Sequence, residues 1–179
     1  MNNTKKITYT ALLLALGIAF QHFNAYIPAP FGQYISGAFV NAILIIAAVR
    51  VGLFSGLAIA IITPIFAFIL GGGVLRIVPQ LIPVIMTGNM IIVICVWLIM
   101  RGTTDRPYRF VLGLGAGAIA KSAFLWAAVS LFIVPVFGSA LNPMQTIMLI
   151  STFSYNQLIT AALGGVLAFA ILPALRKMQ

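Results

Sequence analysis

The sequence predicts an all-α integral membrane protein with six transmembrane helices and both termini cytoplasmic. Three observations carry that expectation. Of the 179 residues, 63% are hydrophobic and 6% charged, a balance typical of membrane-embedded chains. Apolar runs of roughly 18 or more residues, each long enough to span a bilayer, recur along the chain. The few basic residues sit singly or in pairs between those runs, as topology signals do. A chain of this length with several spans makes one domain, residues 1–179.

The first predicted helix runs from Ile7 to Ile27, the second from Tyr34 to Val49 and the third from Gly52 to Leu70. The fourth runs from Ile77 to Met100, the fifth from Tyr108 to Val134 and the sixth from Pro143 to Pro173. Pro28, Pro30 and Gly32 punctuate the first loop, Gly71 to Gly73 the third, and Pro135 and Gly138 the fifth. Asn142 followed by Pro143 reads as an N-cap with proline at the first helical position. The opening MNNTKK and the apolar run after it have the order of a signal peptide. That run is long enough to span and no A-x-A site ends it, which predicts a retained first helix.

Basic residues set the orientation. With six spans, Lys5, Lys6, Arg50, Arg101, Arg106, Arg109, Arg176 and Lys177 fall on one side and Arg76 on the other. The positive-inside rule makes the richer side, and with it both termini, cytoplasmic. The net charge of +9 forms no stripe or tail, so no nucleic-acid partner is expected; the surrounding partner is the lipid bilayer. Asp105, the one acid, sits among the cytoplasmic arginines and reads as a loop charge. One cysteine, Cys95, excludes an intramolecular disulfide, and a lone histidine, His22, makes no metal site. No cofactor is implied.

The stretch GAGAIAKS at 115–122 is one residue short of a phosphate-binding loop, with Gly115, Lys121 and Ser122 in register and Ala120 out of it. Such a loop needs free backbone N–H groups, whereas a transmembrane helix commits them to its own hydrogen bonds. Lys121 stands about thirteen residues, roughly 20 Å, from either end of the fifth helix. The match is therefore a coincidence of small residues, and it leaves a lysine near the bilayer centre. Placing it there costs about 2.5–3.5 kcal/mol on the insertion scale, which predicts that it faces protein. Gly113, Gly117 and Ala118 share its face and make that face one for close helix packing. No membrane-embedded acid can pair with it. Either an anionic ligand completes the pair, or the lysine serves as a structural hydrogen-bonding group.

Other polar groups lie at similar depth: Asn89, with Gln80 nearer the outer end, in the fourth helix, and Asn156 and Gln157 in the sixth. With Lys121 they offer an ammonium and several amides without a carboxylate, a candidate pocket for a small carboxylate-bearing or otherwise polar molecule. Interhelical hydrogen bonding is the alternative use of those amides. Trp126 and Tyr155 are candidate stacking walls, and Arg76 a candidate anion attractor at the mouth. Each of these three also reads as packing or as an interfacial anchor.

Helix one carries TALLLALGIAF, in which Ala11, Ala15 and Ala19 form a shallow stripe suited to close packing, inside the bundle or against a partner. With the chain length, the six spans and the phrases GAIAKSAFLW and SYNQLITAALGGVLA, this resembles an S component. S components are the substrate-binding subunits of the energy-coupling-factor (ECF) vitamin transporters of prokaryotes, ABC importers. The resemblance covers essentially the whole chain. It implies a vitamin-like substrate bound from outside by helices four to six, with the outer loop PAPFGQY as a lid. It implies partner contacts through Ala11, Ala15 and Ala19 to a transmembrane T component, and energy from two separate ATPase subunits. It also implies that Lys121, Asn89, Asn156 and Gln157 occupy the binding region. The lysine and amides favour a carboxylated vitamin such as pantothenate, nicotinate or a folate; the Arg- and Gly-rich motifs of biotin binders and a carboxylate for thiamine are absent.

Competing readings differ in what they require. A stand-alone secondary transporter usually shows membrane acids and internal repeats, and neither is evident. An enzyme needs a nucleophile–base set or a metal. Ser122 and Lys121 are adjacent on a helix and point about 100° apart, so the chain does not read as an enzyme. A structural subunit would use every deep polar group for interhelical bonds.

Overall fold

The computed structural model describes residues 2–23, 26–27, 31–71, 74–101 and 107–176. Every regular element among them is helical. In order these are α1 (Asn3–Phe23), α2 (Phe31–Ile46), α3 (Leu53–Gly71), α4 (Val74–Ile77), α5 (Leu81–Met100), α6 (Pro107–Ala128), α7 (Val134–Phe137), α8 (Pro143–Thr152) and α9 (Tyr155–Arg176). A π-helical turn, Ala47–Val51, prolongs α2, and a second, Val129–Ile133, joins α6 to α7.

Five helical stretches among the described residues are long and apolar enough to cross a membrane: Phe31–Val51, Leu53–Leu70, Leu81–Met100, Pro107–Ala140 and Pro143–Leu175. The first of the six predicted spans is not one of them, although α1 is a 21-residue helix. Asn3 to Lys6 at its start and Gln21 and His22 near its end dilute its apolar run.

Several predicted boundaries shift, each for a local reason. The outer loop was expected to include PAPFGQY, but Phe31 to Tyr34 form the first turn of α2; Pro28 to Pro30 lie outside the described residues. The fourth predicted helix divides into α4 and α5 at Val78–Gln80, where Pro79 cannot donate a backbone hydrogen bond. The fifth contains the π turn and extends beyond Val134 through α7 and a short 3-10 turn. The sixth breaks between α8 and α9 at Phe153 and Ser154. There the carbonyls of Ser151 and Thr152 are met by Ser154 Oγ at 3.2 Å and Gln157 Nε2 at 3.1 Å. Irregular backbone at membrane depth needs partners of this kind. The start of α8 is the expected one: Asn142 Oδ1 accepts from the Gln145 N–H at 2.8 Å, and Gln145 Oε1 accepts from the Asn142 N–H at 3.0 Å.

The core centres on α2, where Asn41 to Ala48 are all buried. It packs chiefly against α9, while α5 packs chiefly against α6, α3 lies on α5, and α1 lies on α3 and α2. Gly164 sets the closeness of the α2–α9 pair, since a Cβ there would stand 2.6 Å from the Ala38 carbonyl oxygen. Such close approach is what holds membrane helices together, because lipid provides no hydrophobic drive between them. Large apolar side chains such as Phe54, Val111, Ile119, Leu131 and Val166 remain exposed around the perimeter, as expected of a surface solvated by lipid.

Candidate functional site

In the interior the apolar packing gives way to a polar cluster. Lys121 is buried at 3% exposure on α6, on the face that also buries Gly113, Gly117 and Ala118. A Cβ at Gly117 would stand 3.0 Å from Ile92 and 3.3 Å from Cys95, so the glycine face brings α6 close to α5 and carries Lys121 inward. Its ammonium donates to Asn41 Oδ1 on α2 at 2.7 Å and to Asn89 Oδ1 on α5 at 2.9 Å. Both acceptors are buried neutral amides. Asn41 Nδ2 in turn donates to the Gly37 carbonyl at 2.9 Å and to Thr160 Oγ1 of α9 at 3.4 Å. One lysine thereby links α2, α5 and α6, and Asn41 extends the network to α9.

An ammonium has three N–H donors, and two are used here. No carboxylate lies among its partners in the described residues. A buried charge held only by amide dipoles carries a desolvation cost that an anion would offset.

The cluster forms one end of a pocket of about 180 Å³. Asn41, Asn89, Lys121, Gln157 and Thr160 line it, together with Gln33 and Ser36 of α2 and Gln21 of α1. Pro64, Ala67, Ile85 and Phe153 provide apolar wall, and Thr152 lines the pocket beside the α8–α9 break. Gln21 Oε1 is buried with no hydrogen-bond partner among the described residues. The arrangement can seat a small molecule bearing an anionic group near the ammonium and polar groups along the glutamines.

Of the residues singled out in the sequence, Lys121, Asn89 and Gln157 meet in this pocket. Asn156 is buried beside it, its Oδ1 accepting from Tyr34 Oη at 2.8 Å. Trp126 and Tyr155 are exposed at 48% and 58%, and neither lines the pocket. Gln80 and Arg76 are exposed around the α4–α5 break and stand outside it as well. His22 is exposed with its ring edge-on to Tyr26, centroids 5.6 Å apart. Asp105 lies outside the described residues. Ala11, Ala15 and Ala19 are exposed on α1, while Gly17 is the residue of that helix that turns inward, against Ile43 and Thr63.

Sequence reasoning missed Asn41, Gln21, Gln33 and Thr160. Asn41 was legible by the rule that found Asn89: it is a lone amide in an apolar run, FVNAILII. The resemblance implied a site built by helices four to six, whereas α1, α2 and α3 all contribute to the wall.

The family model for the ECF transporter, substrate-specific component, matches residues 5–176. The chain belongs to that family. No curated protein and no solved structure matches it. Membership makes this a multi-pass membrane protein of substrate-binding type within a transport system, and not a member of an enzyme family.

Proposed function

We propose that the chain captures a small, carboxylate-bearing vitamin or related micronutrient in the Lys121 pocket. It does so from the outer face of a prokaryotic plasma membrane and delivers the substrate with a T component and two ATPase subunits. In this reading α1 is the sixth span and both termini are cytoplasmic. The exposed Ala11, Ala15 and Ala19 are the contacts for the T component. The observation that carries the reading is the buried Lys121 ammonium, which has one donor to spare and two neutral partners beside a pocket walled by amides. Lys121, Asn89 and Gln157 contact the substrate, with Asn41 holding the lysine. Asn156 supports the wall through Tyr34, while Gln80, Trp126, Tyr155 and Arg76 belong to the approach rather than the pocket.

The test is thermal stability of the detergent-purified protein against a panel of vitamins and precursors, repeated on Lys121→Ala. A ligand bound only by the native state raises the melting temperature with its concentration. The expected result is a shift with one carboxylated compound that the variant lacks. Loss of a buried charged partner is worth about 2 kcal/mol or more, at least about 30-fold in Kd. A shift unchanged in the variant would remove the lysine from recognition. No shift with any compound, from well-folded protein, would favour a subunit whose deep polar groups serve helix packing alone.

A further inference from the structure

A second cavity system is lined by residues toward the other ends of α1, α2, α5 and α9 from those that line the Lys121 pocket. An apolar groove of about 290 Å³ runs between α1, α2 and the end of α9. Along α1 it extends from Tyr9 to Phe20, eleven residues or about 16 Å, close to half of a hydrocarbon core about 30 Å thick. Phe20 stacked on Phe39, ring centroids 3.6 Å apart, forms its inner end. At its other end stand Arg50 and Val51, which also line a separate pocket of about 270 Å³. Trp97 and Arg101 line that second pocket, and the Arg101 guanidinium lies over the Trp97 ring, 5.0 Å from its centroid. Arg50 is held by one bond, from Nη2 to the Leu175 carbonyl at 2.7 Å. Its remaining N–H donors have no partner among the described residues. An apolar slot one leaflet deep thus runs into a pocket carrying two guanidiniums.

We infer that this paired groove and pocket is a binding site for an anionic phospholipid, with one acyl chain along α1 and α2 and the phosphate between Arg50 and Arg101. The apolar lining of the groove and the two guanidiniums at its end select the occupant. A free inorganic anion would leave the groove unfilled, and a zwitterionic lipid would bring a cationic group to a pocket that already holds two. Arg50 is placed for this role by the local backbone: the π turn Ala47–Val51 ends at Gly52, whose φ of +125° lies in a region that favours glycine. Asp105 lies outside the described residues, and the assay below reads the two arginines with it in place.

The test is native mass spectrometry of the full chain released from detergent. It is titrated with phosphatidylglycerol or with phosphatidylcholine of identical acyl chains. The expected result is at least fivefold tighter retention of phosphatidylglycerol, the scale of a basic side chain at a membrane surface. That preference should fall to near unity in Arg50→Gln/Arg101→Gln and by at least half in Arg101→Gln alone. Arg101 is exposed and its guanidinium bonds no backbone group among the described residues, so the single variant keeps the test independent of folding. Leu16→Trp, at a half-exposed position of the groove, should weaken both lipids. Equal retention of the two lipids would overturn the assignment, as would a preference that survives both arginine variants. Competition by glycerophosphate as effective as that by the lipid would reduce the site to an anion pocket. Absence of any retained lipid would leave the groove to a partner protein.

Discussion

Lys121 stands between two amide oxygens, at 2.7 Å and 2.9 Å, and Asn41 is the more committed of the two partners. It faces Lys121 with its oxygen while its Nδ2 reaches Gly37 and Thr160. Replacing it with leucine removes one acceptor from a buried ammonium and cuts the link from Lys121 to Thr160, which keeps its bond to the Gln157 carbonyl at 3.2 Å. The expected cost is about 1–3 kcal/mol for a buried polar group left unsatisfied, measured as a lower melting temperature without ligand. If the pocket binds the proposed substrate, stabilisation by that ligand should weaken in parallel. An Asn41→Leu protein as stable as the parent would show that the lysine does not depend on this amide. Lys121 and Asn89 were legible in the sequence as polar residues in otherwise apolar spans. Their pairing was not, because hydrogen-bond partners 80 and 32 residues away depend on which helices are neighbours.

At the scale of the element, the α2–α9 contact holds together two of the helices that line the pocket. A Cβ at Gly164 would meet backbone on α2, 2.6 Å from Ala38 O and 2.9 Å from Ala42 N, and neither atom can rotate away. Gly164→Ala should therefore force the helices apart at a cost of about 1–3 kcal/mol, the usual range for overpacking. Gly115→Ala, where nothing lies within 4 Å, should be neutral or slightly stabilising, because alanine favours helix by up to about 1 kcal/mol. Equal melting temperatures for the two variants would refute this account of the pair. The length of the apolar runs and the prolines and glycines between them revealed the helices themselves. The break at Phe153–Ser154 was hidden because an apolar run looks continuous, while the side chains that satisfy the open carbonyls are read only once folded.

For the whole molecule the outstanding expectation is orientation. With cysteines introduced at Asn3, Gln179 and Arg76 in a Cys95→Ala background, a membrane-impermeant maleimide should label intact cells only at position 76. Both termini should react once the membrane is opened. A terminus labelled in intact cells would refute the arrangement of six spans with both ends cytoplasmic. Five stretches meet the length and hydropathy of a span, and α1, with polar residues at both ends, is the one that this labelling tests most directly.

The sequence by itself determined the solvent, the helical class and the kind of protein this is. Solvent preference and helix length are properties of composition along a single stretch, and the pattern of small residues is local enough to read. It also singled out Lys121 as a charge out of place. Only the tertiary structure decided what that charge meets, that α2 rather than one of the later helices forms the centre, and that Trp126 and Tyr155 stand outside the pocket. The physical reason is that burial and hydrogen bonding in a bundle depend on which faces meet. A lipid-solvated helix can be apolar on every side, so its sequence carries little record of which side turns inward.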